Sequence, residues 1–380
     1  MCLDKKEEKE KEKYSEMLKL MGSLSRLFSE NKVPYLHYRV AENLFCKQFN
    51  AENLSRFDCS VDAKKGTLGI GIKTFIKNNG KTFQKIAEFN KDRNAYAHET
   101  TGLKESIHKI VELRNMRLEA TKTIYGLEEL IYHCVVRDDS KILVYEEKMD
   151  MIDEKEIKDI NKNKNIITFK DNKNDYQFNI SKSTLYKRFT LPKNYEEIDI
   201  EIINDPFMIL EKLTNVNKEN TKTLDKLEEV VYLPLYSTRG KNVSPKSGLN
   251  QWNAGGRKRK DNEVYIPIPA WVHKRFPNFF NLKIKNFDVH LPNGKILNMS
   301  VCQEGRKALM SNPNKDLGIW ILRNILKVSP GEIVTINHLL DMNIDSVELK
   351  KINDEEYILN FSKYGSYESF EKHYNIKSTN

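Results

Sequence analysis

Two side chains of opposite charge, Asp62 and Lys73, occupy a short segment that reads as a β-hairpin. The segment from Asp58 to Phe75, DCSVDAKKGTLGIGIKTF, combines an alternating strand, a Lys-Lys-Gly turn and an apolar strand. Asp62 lies on the first strand and Lys73 in the middle of the second, so both side chains can point to one face. A carboxylate that holds a divalent metal beside a lysine that positions water is suited to metal-assisted hydrolysis of phosphate esters.

Two features distinguish Lys73 from an ordinary surface lysine. Gly69 and Gly71 flank Ile70, and glycines in a strand permit close approach of another backbone. Lys73 also interrupts an apolar strand, where a cation is costly unless it has an anionic partner. The alternative, a structural hairpin with both charged side chains facing solvent, stays open on spacing alone.

A carboxylate and a lysine on adjacent strands resemble the core of the PD-(D/E)XK nucleases. The resemblance implies that the carboxylates hold Mg²⁺, which polarises the scissile phosphate, and that Lys73 orients the attacking water. The sequence departs from that pattern at one position. The second acid of the family stands two residues before the lysine, and here that residue is Gly71.

A substitute for the missing acid must come from elsewhere in the chain. The first candidate is Glu88 in KTFQKIAEFNKDRN, residues Lys81–Asn94, whose apolar spacing predicts a helix. The second is Glu42, on a helix predicted over Tyr35–Phe49. The expected catalytic set is therefore Asp62, Lys73, Glu88 and Glu42, with Mg²⁺ bound by Asp62, Glu88 and Glu42.

A second group of chemically suited residues lies in the stretch GLNQWNAGGRKRKDNEVYIPIP, from Gly248 to Pro269. Arginine and lysine suit guanine edges or phosphates, whereas amides suit adenine edges. A solvated loop, or a non-specific phosphate contact, would also explain the cations, and Trp252 could serve as a packing wedge. The candidates for DNA contact are Asn250, Gln251, Trp252, Asn253, Arg257, Lys258 and Arg259.

A third group follows in CQEGRKALMSNPNK, which begins at Cys302 and ends at Lys315. Its donors can position phosphates or read bases, and the sequence does not separate the two roles. Asn312 and Asn314 flank Pro313 and could instead be turn formers. The candidates here are Gln303, Arg306, Lys307, Ser311, Asn312, Asn314 and Lys315.

Both groups lie in a region, about Val230 to Asn360, that resembles the C-terminal domain of the NgoFVII-type restriction endonucleases. The strings GLNQWNAGGRKRKDNEVYIPIPAWVHKRFPNFF and LPNGKILNMSVCQEGRKALMSNPNKDLGIWILRNILKV carry the resemblance. It implies a DNA-binding pseudobarrel, similar to that of plant transcription factors, which grips the major groove with two arms. We name these the N-arm, Ser247–Glu263, and the C-arm, Cys302–Lys315.

The front half departs from the NgoFVII-type enzymes. Theirs resembles a phospholipase-D-like, metal-independent nuclease with His-x-Lys motifs, and this sequence contains no His-x-Lys. The resemblance therefore covers the recognition domain and leaves the catalytic module to be a different one. A PD-(D/E)XK-like module is the one that the hairpin indicates.

Composition limits the remaining choices. The chain has 380 residues and a formal charge of +9, which favours an anionic partner. No apolar run approaches the roughly 20 residues of a spanning helix, so we expect a cytoplasmic protein without membrane association. The five cysteines are scattered, so neither a zinc ribbon nor a disulfide framework is indicated, and any metal should have oxygen ligands.

The expected fold is mixed. An α+β or α/β nuclease domain should cover residues 1–214, followed by a linker at 215–229 and an all-β pseudobarrel at 230–380. Apart from the hairpin, the patterns predict a helix near Leu103–Glu119 and a short helix beginning at SKSTLYKRF. The predicted strands of the first domain are Ile131–Val136, Lys141–Glu147, Ile166–Lys170 and Tyr176–Ile180.

These features together predict a type II-like restriction endonuclease that cleaves double-stranded DNA with Mg²⁺ and needs no nucleotide cofactor. One alternative is a DNA-binding protein without catalysis, for which Gly71 is the best argument. Another is a nuclease that requires a methylated or otherwise modified base. The chain gives no decisive dimer face, so a homodimer stays an open expectation.

Overall fold

The computed structural model describes residues 8–55, 59–89, 102–214, 229–281 and 283–375. It divides into two compact units. Unit 1 contains Met1–Asn115 and Leu127–Leu224, and unit 2 contains Met116–Gly126 and Asp225–Asn380. The expected linker at 215–229 lies outside the described residues, except for Glu229.

Unit 1 is built from two sheets and the helices that pack on them. Its helices are α1 (Glu8–Ser23), α2 (Tyr38–Gln48), α3 (Leu103–Tyr125, whose last part counts with unit 2) and α4 (Phe207–Thr214). Its strands are β1 (Glu52–Asn53), β2 (Ala63–Lys65), β3 (Leu68–Ile76), β4 (Lys81–Glu88), β5 (Glu129–Asp138), β6 (Lys141–Lys148), β7 (Lys158–Asn163), β8 (Ile166–Lys170), β9 (Asp175–Asn179), β10 (Thr184–Thr190) and β11 (Glu196–Asp199).

The first sheet of unit 1 has the order β1-β2-β3-β5-β6-β11. The expected hairpin is present as β2 and β3, which pair antiparallel, and β3 then pairs in parallel with β5. A parallel neighbour requires a crossover connection, and this one contains α3. One face of the sheet, with Ile70, Ile72 and Val135, is buried against apolar residues of α1 and α2.

The second sheet of unit 1 has the order β4-β10-β9-β8-β7. The helix predicted over Lys81–Asn94 is wrong for its described part, because residues 81–88 form β4; residues 90–94 lie outside the described residues. β4 pairs with β10 across seven rungs, a ladder between segments about a hundred residues apart. The spacing of nearby residues does not reveal such a distant partner. Pairing with β10 stabilises a strand here, although Ile86 and Phe89 have the spacing of a helix.

The short helix predicted at SKSTLYKRF is also wrong, because this segment forms β10. Leu185, Lys187 and Phe189 alternate as inward-facing, buried residues, which is the period of a strand. This alternation is hard to recognise in the sequence, because a lysine occupies one of the inward positions and lysine is rarely a core residue. The carboxylate partner of Lys187 is Glu147 on β6.

Unit 2 contains the expected short strands, but it is not all-β, because helices lie between and after them. Its strands are β12 (Val230–Pro234), β13 (Ile266–Pro267), β14 (Phe287–His290), β15 (Ile296–Cys302), β16 (Ala308–Ser311), β17 (Ile344–Lys351) and β18 (Glu356–Lys363). Its helices are α5 (Ala270–Arg275), α6 (Lys315–Gly318), α7 (Ile336–Asp341) and α8 (Ser366–Asn375), with a π-helix at Ile319–Ile325 directly after α6.

The strands of unit 2 form one sheet in the order β12-β17-β18-β14-β15-β16-β13. The two end strands, β12 and β13, lie next to each other without pairing, so the sheet closes into a nearly complete barrel. Trp320 and Ile321 of the π-helix are buried, as expected for the inner face of a barrel helix. In the described residues of both units, no helix has the length and apolar character needed to cross a membrane.

Candidate catalytic cluster and nucleic-acid interface

Asp62 lies immediately before β2, and both its backbone N–H and its carboxylate are hydrogen-bonded to the neighbouring strand, β3. Its N–H donates to the carbonyl of Ile70 at 2.8 Å. Its Oδ2 accepts the N–H of Ile72 at 2.7 Å. The carboxylate thus takes the place of a strand carbonyl and lies beside the backbone between Gly71 and Lys73.

Glu42 joins Asp62 from helix α2. It is buried, and Arg39 one turn earlier donates to its Oε2 at 3.0 Å. Burial raises the pKa of Glu42, and the negative charge of Asp62 raises it further, whereas Arg39 lowers it. Burial likewise raises the pKa of Asp62, against the lowering effects of Lys73 and the Ile72 N–H. The charge of Asp62 therefore disfavours the ionisation of Glu42.

Lys73 lies on β3, and its charge acts on Asp62. Its Nζ is 5.9 Å from the centre of the Tyr132 ring, a cation–π distance. The Lys73 side chain is half-buried and so keeps access to a ligand in solvent. The expected juxtaposition of Asp62 and Lys73 is present.

Gly71 occupies the position where the second acid of the PD-(D/E)XK pattern would stand. A Cβ there would come within 2.6 Å of the Met149 methyl and 3.1 Å of the Tyr132 ring. Met149 and Tyr132 thus fill the space into which a side chain at this position would point. The methyl is the end of a flexible side chain, so it can move aside, but as it stands no acid fits.

Glu88 does not complete the cluster. It lies at the end of β4, in the other sheet of unit 1, where it is exposed and forms an ion pair with Lys85 at 3.1 Å. The helix that was expected to carry it is a strand, which explains the difference. Within residues 8–55, 59–89, 102–214, 229–281 and 283–375, no three His, Cys, Asp or Glu side chains are grouped to hold a metal. Asp62 and Glu42 remain as a pair.

A pair of carboxylates still fits Mg²⁺. This ion keeps several waters and is commonly held by one or two carboxylates together with substrate phosphates. A divalent cation would offset the burial that raises the pKa of both acids and the charge of Asp62 that raises the pKa of Glu42 further. Arg39 meanwhile neutralises part of the charge, and sequence reasoning missed it, although its spacing of three from Glu42 on a helix is a readable signal.

The first part of the N-arm is a 3₁₀ segment, Gly248–Asn253, whose amides bind the protein itself. Asn250 is buried, and its amide donates to the Val334 carbonyl at 2.9 Å and accepts the Val334 N–H at 2.9 Å. Asn253 donates to the Pro245 carbonyl at 2.8 Å. The hydrogen-bonding groups of Asn250 anchor the arm, so the structure gives no support to the expectation that this residue reads a base.

Gln251 and Trp252 also pack at the base of the N-arm. Gln251 is buried and Trp252 is half-buried. The Oε1 of Gln251 and the Nε1 of Trp252 are buried without a hydrogen-bond partner among the described residues. In this conformation Gln251 does not reach a base edge, whereas Trp252 has the position of the packing wedge considered above.

The cations of the N-arm follow in the loop. Arg257 and Lys258 are exposed, and Arg259 is half-buried with its Nη1 donating to the Gln251 carbonyl at 3.2 Å. Glu263 binds both arginines: its Oε2 is 3.2 Å from Arg257 Nη2 and 3.7 Å from Arg259 Nε. The loop therefore presents a cationic surface, in which Glu263 forms ion pairs with Arg257 and Arg259.

The C-arm offers its donors at the two ends of β16. Ser311 is an exception, because it is buried. Its hydroxyl donates a hydrogen bond to the Pro313 carbonyl and accepts one from the Leu317 N–H, each at 2.9 Å. In this conformation its hydrogen bonds are used within the domain, so the expected contact of Ser311 with DNA stays a prediction without structural support. The exposed C-arm candidates are Gln303, Arg306, Lys307, Asn312, Asn314 and Lys315.

Pairing of β13 with β16 brings the arms together at one end. Ile266 lies opposite Leu309, and Pro267 lies opposite Ala308. Because these strands are antiparallel, the end of the N-arm lies beside the residues that follow β16, Asn312–Lys315. Residues 303–307 lie at the other end of β16, about four strand residues or roughly 13 Å away.

Comparison with known proteins supports the second of these two sites. A comparison with curated proteins finds no match. Residues 228–353, about a third of the chain, match the family model described as the NgoFVII C-terminal B3-like DNA-binding domain. The match confirms the resemblance found at Val230 to Asn360 and includes both arms. The C-terminal barrel is therefore similar to a B3-like DNA-binding domain of the restriction-enzyme kind.

Proposed function

We propose that the protein is a Mg²⁺-dependent endonuclease that cleaves double-stranded DNA at a short specific sequence, as type II restriction enzymes do. One observation carries the proposal: half-buried Asp62, which accepts the Ile72 N–H, acts electrostatically on buried Glu42 and is acted on by half-buried Lys73, in a chain that also matches a restriction-type DNA-binding domain. Buried like charges with perturbed pKa values mark functional sites more often than structural ones.

In this proposal Asp62 and Glu42 hold the metal ion. When bound, Mg²⁺ supplies charge that polarises the scissile phosphate and lowers the pKa of a coordinated water. Lys73, half-buried beside Asp62, positions the attacking water and stabilises the charge that develops on the phosphate. Hydrolysis would leave 5′-phosphate and 3′-hydroxyl ends.

The barrel supplies the sequence dependence. Exposed Arg257 and Lys258 of the N-arm would meet phosphates or guanine edges, and so would the exposed cations of the C-arm. Asn312 and Asn314, exposed beside the N-arm, are suited to base edges. Binding energy from these contacts keeps the phosphodiester in register with the catalytic residues.

A second function, sequence-specific binding without cleavage, is favoured by one observation. The space that a second acid at Gly71 would need is filled by Met149 and Tyr132. Two carboxylates, one of them bound to Arg39, are fewer ligands than a typical three-acid set. A regulator would retain the barrel and lose the chemistry.

Incubation of the protein with unmethylated plasmid and phage DNA, with Mg²⁺ or with EDTA, tests the proposal. Discrete bands that require Mg²⁺ would establish a sequence-specific nuclease, and mapping the ends would give the site and the cut position. Intact DNA in a salt-sensitive complex, with every divalent metal, would establish the non-catalytic function. A methylated copy of each substrate tests whether a modified base is required.

A further inference from the structure

The C-terminal end of the N-arm is a tight turn held by a side chain from the π-helix. The Glu263 N–H donates to the Lys260 carbonyl at 2.9 Å, which places Asp261 and Asn262 at the centre of the turn. Arg323 donates from its Nη2 to the Asp261 carbonyl at 2.7 Å and from its Nε to the Asn262 Oδ1 at 2.8 Å.

The third contact of Arg323 fixes the guanidinium itself. Its Nη1 donates to the Val328 carbonyl at 2.7 Å. All three nitrogens of the planar group are thus used, two on the turn and one on the chain that follows the π-helix. A lysine, with one ammonium at the end of a flexible stem, cannot reproduce this fork.

A second, independent contact presses the same turn against the barrel. A Cβ built on Gly318, the last residue of α6, would lie 2.1 Å from the Asn262 carbonyl oxygen and 2.7 Å from its carbon. Backbone approaches backbone there, so any side chain at position 318 would push the turn away. Gly318 and Arg323 are on consecutive helical segments and act on one residue, Asn262.

The other end of the cationic loop is also fixed. Asn250 is bonded to Val334, and Asn253 is bonded to Pro245, before the loop leaves the barrel. The cations of residues 257–260 therefore lie on a short loop whose two ends are each anchored to the domain. Holding a binding loop in advance lowers the entropy that binding must overcome and fixes which base each side chain can reach.

We propose that Arg323 is a positioning residue for DNA recognition: it sets the orientation of the N-arm by holding the Asp261–Asn262 turn. This rests on the proposed DNA binding by the barrel and goes beyond it, because Arg323 lies on the barrel helix outside both arms. Gly318 provides the space for the same placement. Neither residue needs to touch DNA for this effect.

The test uses the full-length protein and a random duplex library, from which bound sequences are selected and read. Arg323→Lys and Gly318→Ala should both lower base selectivity, and at the same positions of the recognised sequence. The affinity of each variant for the specific sequence should be about 10-fold or more below that of the wild type. The salt dependence of binding should stay unchanged, because the number of phosphate contacts is the same. Lys351→Met, which removes an anchor of the Asn278 carbonyl elsewhere in the domain, is the control for a general loss of stability.

Three outcomes would overturn the inference, and a fourth concerns the proposed function. A base preference like that of the wild type in Arg323→Lys would show that the turn needs no such anchor. A uniform loss over all sequences with a shallower salt slope would make Arg323 a phosphate contact. An equal loss of base selectivity in Lys351→Met, at matched Tm, would reduce the effect to stability. A wild-type protein that selects no sequence would instead contradict the proposed function.

Discussion

The two units use charge in opposite ways. Unit 1 withdraws acids from solvent: Glu42 is buried, Asp62 is half-buried, and burial raises the pKa of both. Unit 2 leaves its cations outside, with Arg257 and Lys258 exposed on a loop. Buried like charges cost free energy and are expected where chemistry or metal binding needs them, whereas exposed cations suit a large anionic partner.

The comparison also explains why the two halves differ in how far they can be recognised. Binding a duplex requires a broad surface, so many residues of unit 2 are constrained, and long strings match a family. Hydrolysis requires only a few side chains at one point. A cluster of this kind in unit 1 therefore needs no long matching string, only a few side chains at the right places in a sheet.

The largest expected effect separates catalysis from binding. Lys73→Ala and Asp62→Ala should each lower the rate of plasmid cleavage by at least about 100-fold, because each removes a charge that acts on the reacting phosphate. DNA affinity, measured by gel shift, should stay nearly intact. Loss of affinity instead would give the hairpin a structural role and break the division of labour between the units.

Glu88→Gln is the matched control for that experiment. Glu88 is an exposed acid in the other sheet of unit 1, paired with Lys85, so cleavage should be unchanged. A loss of cleavage as large as that of Asp62→Ala would restore Glu88 as a metal ligand, contrary to its position here.

The next effect concerns the exposed cations. Arg257→Ala should cost about 1–3 kcal/mol and relax one base position if the guanidinium binds a guanine edge. A uniform weakening over all sequences, with a shallower salt slope, would identify a phosphate contact. Lys258→Ala, which removes the neighbouring exposed cation, shows in the same binding titration how much any single charge contributes.

A smaller effect follows from the cost of burying two acids. Without metal, Asp62→Asn should stabilise the protein by about 1 kcal/mol, or roughly 2–4 °C in Tm. The gain should be present at neutral pH and disappear as the pH falls below the raised pKa values, because the wild-type acids are then protonated and carry no buried charge. A Tm below that of the wild type at pH 7 would mean that the Asp62 charge is well paired. Asp138→Asn is the contrasting control: its pKa is lowered by Lys77, so its removal should destabilise instead.

The smallest effect is expected at Glu263, the acid that pairs with two cations of the N-arm. Glu263→Gln should free Arg257 and Arg259 and tighten binding to random duplex by up to about fivefold, since a partly exposed ion pair contributes about 0.2–1 kcal/mol. Discrimination between sequences should fall at the same time. Weaker binding in a salt titration would show that Glu263 orders the arginines for DNA and does not compete with it.

Much of the architecture could be predicted from local patterns. The β2–β3 hairpin, the helix α3 and the barrel strands after Val230 follow from alternation, helical spacing and turn residues that act within a few positions. β4 and β10 could not be predicted in this way, because each is held by a partner about a hundred residues distant. Lys187 at an inward position further concealed β10, and its carboxylate partner on β6 could be found only in three dimensions.

The candidate sites show the same limit. Residue type and spacing led to Asp62, Lys73 and Glu42, whose side chains the fold brings together. The same reasoning placed Glu88 with them, since the position of an acid depends on whether its segment is a helix or a strand. Ser311 and Asn250 are good donors in the sequence, but the fold uses their hydrogen bonds internally, and chemical type alone does not reveal that.

The strand order of the barrel has a consequence for how the protein is made. The first strand of unit 2, Val230–Pro234, pairs with Ile344–Lys351, more than a hundred residues later in the chain. At a translation rate of about 5–20 residues per second, the ribosome needs roughly 6–20 seconds to supply that partner. During this interval an apolar strand edge of the nascent chain is uncovered, and such edges can recruit other chains. Premature termination before residue 344 would make this exposure permanent, so truncated products should be found with chaperones or in aggregates.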